Sequence, residues 1–125
     1  MTQQLEVDIS SVDSADLIDV RGELDIASAL GLAGPLTDIA TDGDRHVVLD
    51  LTGLSFMDST GMSVLLNARR RLTRQGRQLL VVCPEGPVMR LFELTSLVDT
   101  LRVHPSKEAA LAALHSDNGD GDGGG

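Results

Sequence analysis

The chain of 125 residues has almost no aromatic side chains: it contains two phenylalanines, Phe56 and Phe92, and neither tryptophan nor tyrosine. Proteins that bind single-stranded nucleic acid stack bases on several aromatic residues, so that mode of binding is not expected. The core must be built from aliphatic side chains, for which the hydrophobic content of 42% is ordinary. The length suffices for one domain with a modest core.

Cysteines, basic residues and long apolar runs are also scarce. Cys83 is the single cysteine, so no internal disulfide can form and a reducing compartment is expected. No apolar run approaches the ~20 residues that cross a bilayer, and the N-terminus lacks the pattern of a signal peptide. The formal net charge is -9, which disfavours nucleic acids and anionic membranes as partners. We therefore expect a soluble cytoplasmic protein that binds neither.

Motifs of catalysis and cofactor binding are missing as well. The three histidines His46, His104 and His115 are scattered, and none stands at the spacing of a nucleophile or of metal ligands. No glycine-rich loop of the kind that cradles phosphates is present, and no metal-binding motif occurs. We predict a protein that is not an enzyme, with no catalytic residue, no metal site and no cofactor.

Hydrophobic periodicity predicts strands and helices in the order β-β-α-β-α-β-α-β-α. Strands that alternate with helices indicate right-handed crossovers and a mostly parallel sheet. The predicted fold class is α/β, a single domain over residues 1–115 with a mixed, mostly parallel sheet of about five strands and about four helices. Residues 116–125 are only Ser, Asp, Asn and Gly, and a disordered tail is predicted there. The predicted elements are a hairpin of strands at 5–9 and 17–20 around a turn at 11–16, a helix at 26–41, a strand at 46–51 with a connector at 52–57, a helix at 58–75, a strand at 78–83, a helix from 87, a strand at 101–103 and a helix capped by residue 106.

The first helix contains a proline, which interrupts the regular hydrogen bonds of a helix interior. Ile26, Leu30 and Ala33, followed by Leu36, Ile39 and Ala40, form the apolar side of this helix, which is expected to face the core. We expect one helix kinked at Pro35. The alternative is a short turn followed by a helix that has Pro35 as its first residue.

The most informative motif is Asp58-Ser59-Thr60-Gly61, between an apolar strand with its connector and an amphipathic helix. Asp58 is placed to cap the helix by accepting from its first backbone N–H groups. Ser59 then lies exposed in the first turn, where unpaired N–H groups and the helix dipole favour a phosphate. We interpret Ser59 as a phosphorylation switch rather than a second cap, and Thr60 as a capping or packing residue. Gly61 would allow another backbone to approach closely.

The same helix has a wider apolar arc than packing on a sheet requires. Leu65 lies in the middle of the arc and should face the core. Met62 and Leu66 lie at its edge beside Ser63, and we hypothesise that they extend a docking patch around Ser59. Alternatively, the third helix covers them. The five arginines from residue 69 to 77 form either a patch for an acidic partner or, the favoured interpretation, a solvated helix end.

The order of elements and the motif together resemble the STAS domain, and within that family the anti-sigma factor antagonists. The resemblance is carried by Val48–Leu51 and Leu54–Gly61, with further similarity at Arg21–Asp25, which ends the second strand, and at Val88–Phe92. It covers roughly residues 5–115. The four-residue motif is weak alone, but it is specific when it follows a strand and connector and opens a helix.

The resemblance implies a partner-switching function. Such antagonists bind an anti-sigma factor that is also an ATP-dependent serine kinase, and thereby release a sigma factor. The kinase phosphorylates the serine at the position of Ser59, which ends binding, and a phosphatase resets the antagonist. The resemblance also puts Asp25 beside the switch, although Asp25 could equally cap the first helix. The predicted partner-binding residues are Asp25, Asp58, Ser59, Thr60, Gly61, Met62, Ser63 and Leu66.

Three other functions remain open at this point. A STAS protein can be an adaptor subunit of a lipid-transport ATPase, which would not need a phosphorylatable Ser59, or a stressosome-type scaffold. A nucleotide-binding enzyme is suggested only by the alternation of strands and helices.

Overall fold

Strands and helices follow one another in the order that the hydrophobic pattern predicts. The computed structural model describes residues 4–121, with side chains up to residue 114. The elements are β1 (Leu5–Val12), β2 (Ala15–Leu24), α1 (Leu30–Asp42), β3 (His46–Met57), α2 (Ser59–Arg74), β4 (Leu79–Val82), α3 (Pro87–Leu94), β5 (Val103–His104) and α4 (Lys107–Gly121).

The five strands form one sheet in the order β1-β2-β3-β4-β5. β1 and β2 are antiparallel and the remaining neighbours are parallel, which confirms the predicted α/β class with a mixed, mostly parallel sheet. Alternate strand residues face two separate apolar clusters. α1, α2 and α3 contribute to the larger cluster, and α4 contributes to the smaller one on the opposite face. Because both faces are covered, every residue of β4 is buried.

The strands at the start of the chain are longer than the sequence predicts. The hairpin turn is confined to Asp13 and Ser14, since Val12 pairs with Ala15, so the predicted turn at 11–16 is wrong. The predicted connector at 52–57 is also wrong, because β3 continues through it. Pairing with the second half of β2 keeps this segment extended as far as Met57. β3 therefore delivers the chain directly to the start of α2.

α1 begins four residues later than predicted and is continuous through Pro35. The helix buries Leu32, Leu36 and Ala40. The expectation that Ile26 and Leu30 face the core is wrong, because they are 78% and 84% exposed. Residues 26–29 form a turn, and this turn changes which residues of the helix point inward.

Arg77, at the end of the α2–β4 connection, fixes the C-terminus of α1. Its side chain is buried, and its guanidinium donates to the carbonyls of Ile39 at 3.1 Å and Arg45 at 2.7 Å. It also donates to Gln75 Oε1 at 2.7 Å. The last carbonyls of a helix carry partial negative charge, which compensates a buried cation. Arg77 thus ties the end of α2 to the end of α1 and the residue before β3, more than 30 positions earlier in the sequence.

Ser106 caps α4, as predicted, by accepting from the backbone N–H of Ala109 at 3.1 Å. The helix reaches Gly121, beyond the boundary at His115 that the sequence suggests for the domain. Residues 122–125 lie outside the described residues. The division into a domain over 1–115 and a tail over 116–125 stays a prediction.

Candidate functional site

The two carboxylate oxygens of Asp58 bind two different segments of the chain. Oδ1 accepts from the backbone N–H of Gly61 at 3.0 Å, which is the N-cap hydrogen bond that the sequence predicts. Oδ2 accepts from the backbone N–H of Ile26 at 3.2 Å. The Asp58 N–H donates in turn to the carbonyl of Leu24 at 3.2 Å. One side chain therefore ties the loop after β2 to the first turn of α2.

Ser59 is exposed at the first position of α2, and its hydroxyl makes no hydrogen bond to any described residue. The backbone N–H groups of Ser59 and Thr60 also have no partner in the described part of the chain, as is usual for the first turn of a helix. The capping role belongs to Asp58 alone. A hydroxyl that does not support the fold is available for chemistry with another molecule.

Gly61 allows α2 to pack closely on the sheet. A Cβ at this position would lie 2.7 Å from Leu24 Cγ and 2.9 Å from Met57 Cγ, far inside van der Waals contact. Both neighbours are buried. Gly61 is therefore in close contact with side chains of β2 and β3 within the chain, and its role in partner binding stays a prediction.

The predicted apolar docking patch on α2 needs correction. Met62 is only 6% exposed and belongs to the main core, so the prediction that it is surplus to the core is wrong. Leu66 is half-buried and packs against the same core. Ser63 is exposed on the same surface as Ser59. Helix periodicity alone could not reveal that α2 is covered on both sides of Leu65.

Asp25 lies next to this site and organises the turn before α1. Its Oδ1 accepts from the backbone N–H groups of Ala27 at 3.0 Å and Ser28 at 3.1 Å, and its Oδ2 accepts from Gln4 Nε2 at 3.0 Å. Asp25 immediately precedes Ile26, whose N–H binds Asp58. Asp25 therefore lies beside the start of α2, as expected, and its capping role applies to the turn rather than to α1 itself.

Four large apolar side chains near the start of α2 are exposed. Ile26 and Leu30 project from the loop and the first turn of α1, as noted above. On the other side, Phe56 is 47% and Leu94 78% exposed, and they line a cavity of about 380 Å³ between β3 and α3. The spacing Asp25-x-x-Ser28 is a turn signal, and it could have indicated that Ile26 lies outside the helix.

Titratable groups away from this site have pKa values shifted by burial. Burial, together with the negative charges of Asp50 and Glu85, raises the pKa of the Cys83 thiol to about 11. Burial, with the positive charge of Arg102, lowers the pKa of His104. No cluster of three or more potential metal ligands occurs among the described residues. Within the same range, no helix is long and apolar enough to cross a membrane.

Comparison with known proteins finds one family and several relatives for this chain. The profile of the STAS domain family matches residues 6–110. The anti-sigma-B factor antagonist of Staphylococcus aureus is 30% identical over 104 residues, which are 83% of this chain and 96% of that protein. The anti-sigma-F factor antagonist RsfA of Mycobacterium tuberculosis is 32% identical over 115 residues, or 90% of each chain.

A solved structure has a similar fold. The crystal structure of an anti-sigma factor antagonist from Mycobacterium paratuberculosis superposes with a TM-score of 0.83. The sequence identity is 24%, and the match covers 89% of this chain and 94% of that one. At this sequence identity, the structural similarity shows only that the two proteins share a fold.

Proposed function

The chain belongs to the STAS domain family, where its relatives are anti-sigma factor antagonists, and on this premise we propose that it is an antagonist switched off by phosphorylation of Ser59. The proposal rests on the exposure of Ser59 and on the absence of a hydrogen bond to its hydroxyl within the described residues. Its hydroxyl is exposed and unbonded among the described residues, and it lies at a helix N-terminus with exposed apolar side chains on both sides. The surface around unmodified Ser59 suits contact with a protein partner. A phosphate on Ser59 would weaken binding of that partner.

We propose that the partner is an anti-sigma factor with serine kinase activity and that a phosphatase restores the unmodified antagonist. The contact surface, named here the switch face, consists of Asp25, Ile26, Leu30, Ser59 and Ser63, with Thr60 and Leu66 at its margin. Ile26 and Leu30 would supply the apolar contacts that the sequence assigned to Met62. Asp58 and Gly61 act on the switch face by fixing the loop and α2 beneath it. The protein would act in the cytoplasm as a binding module and not as a catalyst.

Phosphorylation would change the interface more than the fold. A phosphate adds about -1.5 to -2 charge at neutral pH. The free N–H groups of Ser59 and Thr60 and the helix dipole favour that charge in the unbound protein. In the complex the same charge would be desolvated against apolar surface. Moving a complex from nearly full to nearly absent requires about 5.5 kcal/mol, a scale that burial of an uncompensated charge can supply.

The test uses affinity capture of partners with the wild type, Ser59→Asp and a control, Ser10→Asp. Ser10 is exposed on β1, so its replacement adds the same charge far from the switch face. We expect the wild type and Ser10→Asp to retain an ATP-binding serine kinase and Ser59→Asp to lose it. Incubating the captured complex with ATP should place one phosphate on the wild type, at Ser59, and none on Ser59→Ala.

The outcome distinguishes this proposal from the other functions. Retention of the same partner by all three proteins, for example an ATPase of a lipid transporter, would mean that Ser59 is not a switch and that the chain is a constitutive adaptor. Recovery of very large assemblies of the chain itself would indicate a scaffold. Tight binding of ATP or GTP to the isolated chain would favour a nucleotide-binding enzyme.

A further inference from the structure

A groove between α1 and α2 carries positive charge on a protein that is otherwise acidic. The groove is a cavity of about 390 Å³ with an apolar floor and a basic rim. The floor is formed by Ala33, Leu36, Val64 and Ala68, and the rim by Arg70, Arg71 and Arg74 with Thr37 and Asn67.

The three rim arginines have no ion-pair partner within the described part of the chain. Arg21 and Arg45, in contrast, both pair with carboxylates. Arg71 makes only long hydrogen bonds of 3.4 Å to hydroxyls of α1, and Arg70 bonds to Asn67 at 3.0 Å. Arg70 and Arg74 are four residues apart on one helix, and like charges at that spacing repel. Acidic residues outnumber basic ones 19 to 10, so the three arginines gathered in this groove concentrate positive charge on an acidic chain.

We propose that this groove, named here the arginine groove, docks an acidic amphipathic segment of a protein partner. Carboxylates of that segment would meet Arg70, Arg71 and Arg74, and its apolar side chains would meet the floor. Guanidinium groups match carboxylates in a planar, two-point geometry. A groove between two helices with an apolar floor is the shape that receives an amphipathic helix. The proposal is independent of the identity of the partner at Ser59.

Charge and helix polarity favour this occupant over two others. Nucleic acid would meet one small basic groove on a chain of net charge -9, so its affinity would be low. A small free anion would lie beside the C-terminal half of α2, where the helix dipole disfavours negative charge, and it would gain no apolar contact with the floor to offset that cost. A peptide gains apolar contacts as well as ion pairs, and so it does not depend on charge alone.

The arginine groove is electrostatically separate from the switch face. Arg71 follows Ser59 by twelve residues of α2, or about 18 Å along the helix axis. Interactions between exposed charges are screened over about 8 Å at physiological ionic strength. A charge at Ser59 should therefore leave binding in the arginine groove almost unchanged, so that the two sites can be tested separately.

The probe is a synthetic amphipathic peptide of about 14 residues, or about four helical turns, with glutamate on one face and leucine on the other. Binding to the full chain is measured by fluorescence anisotropy of the labelled peptide and mapped by NMR chemical-shift changes. The variants are the double replacement Arg71→Gln with Arg74→Gln, and the control Arg90→Gln, which removes one exposed arginine from α3. Thermal unfolding followed by circular dichroism verifies that each variant is folded.

We expect saturable binding with shifts at Ala33, Thr37 and Val64, and an affinity about tenfold lower for the double variant, the effect of two exposed ion pairs. Arg90→Gln and Ser59→Asp should bind like the wild type, and a peptide with glutamine in place of glutamate should bind weakly. Absence of binding, or equal loss with Arg90→Gln, would overturn the proposal. Displacement of the peptide by inorganic phosphate or by an oligonucleotide of equal charge would reassign the groove to that ligand and equally overturn it.

Discussion

Replacing Asp58 should separate the two hydrogen bonds made by its carboxylate. Asp58→Asn keeps a carbonyl oxygen for the N–H of Gly61 but presents an NH₂ donor to the N–H of Ile26, so the bond to the loop is lost. Asp58→Ala loses both bonds. A bond from a backbone N–H to a carboxylate is worth about 1.5 kcal/mol and an N-cap about 1 kcal/mol. We expect the free energy of unfolding to fall by about 1.5 kcal/mol in Asp58→Asn and by about 2.5 kcal/mol in Asp58→Ala.

The assay is urea unfolding followed by far-ultraviolet circular dichroism, because the chain has no tryptophan or tyrosine for fluorescence. Thermal unfolding should show losses in Tm of about 6 °C and about 10 °C, at about 4 °C per kcal/mol for a domain of this size. Asp38→Asn, at an exposed carboxylate of α1, is the matched control and should change little.

Two results would refute this reasoning. If Asp58→Asn has the same free energy of unfolding as the wild type, the hydrogen bond to Ile26 does not stabilise the folded protein. If Asp58→Ala is no less stable than Asp58→Asn, the N-cap hydrogen bond to Gly61 does not provide the expected stabilisation. Under the proposed function, Asp58→Asn also frees the loop that presents Ile26, so affinity for the anti-sigma factor should fall even though Ser59 is intact.

Four further predictions concern single residues. Gly61→Ala gains helix propensity of about 1 kcal/mol but overpacks the core by about 2 kcal/mol, so urea unfolding should show a net loss of about 1 kcal/mol and capture should show weaker partner binding. Arg77→Met leaves helix carbonyls unpaired and should cost about 3 kcal/mol in the same assay, whereas the exposed Arg74→Met should be nearly neutral. Burial raises the pKa of Cys83 to about 11, so at pH 8 a thiol reagent should label it slowly, and rapidly in urea. Burial lowers the pKa of His104, so the unfolded chain binds a proton first as pH falls through about 6.5; stability should decrease there, and His104→Gln should remove that decrease.

The sequence predicted features that depend on local chemistry. The order of elements follows from hydrophobic periods, and the caps at Asp58 and Ser106 follow from side chains that reach backbone groups three residues away. Pro87 at the first turn of α3 is likewise a local preference. These interactions lie within one helical turn, so a single sequence contains all the information that specifies them.

Features that depend on distant contacts could not be predicted in the same way. β3 extends to Met57 because β2 pairs with it, and Met62 is buried because α2 is covered on both sides. The exposure of Ile26 follows from a turn that Asp25 stabilises, and this shifted the inward face of α1. The bond from Ile26 to Asp58 joins residues 32 positions apart. No pattern within either segment indicates that the two segments meet.

Asp58 caps α2, and its neighbour Ser59 is the proposed site of modification. This separation affects how long a modified molecule would remain usable in the cell. Asp58 holds the start of α2 whether or not its neighbour is esterified, and Ser59 contributes no hydrogen bond that a phosphate would remove. An inactivated molecule would therefore stay native and resistant to proteolysis, so each copy could serve repeatedly. Recovery from a signal would then depend on the rate of dephosphorylation rather than on new synthesis.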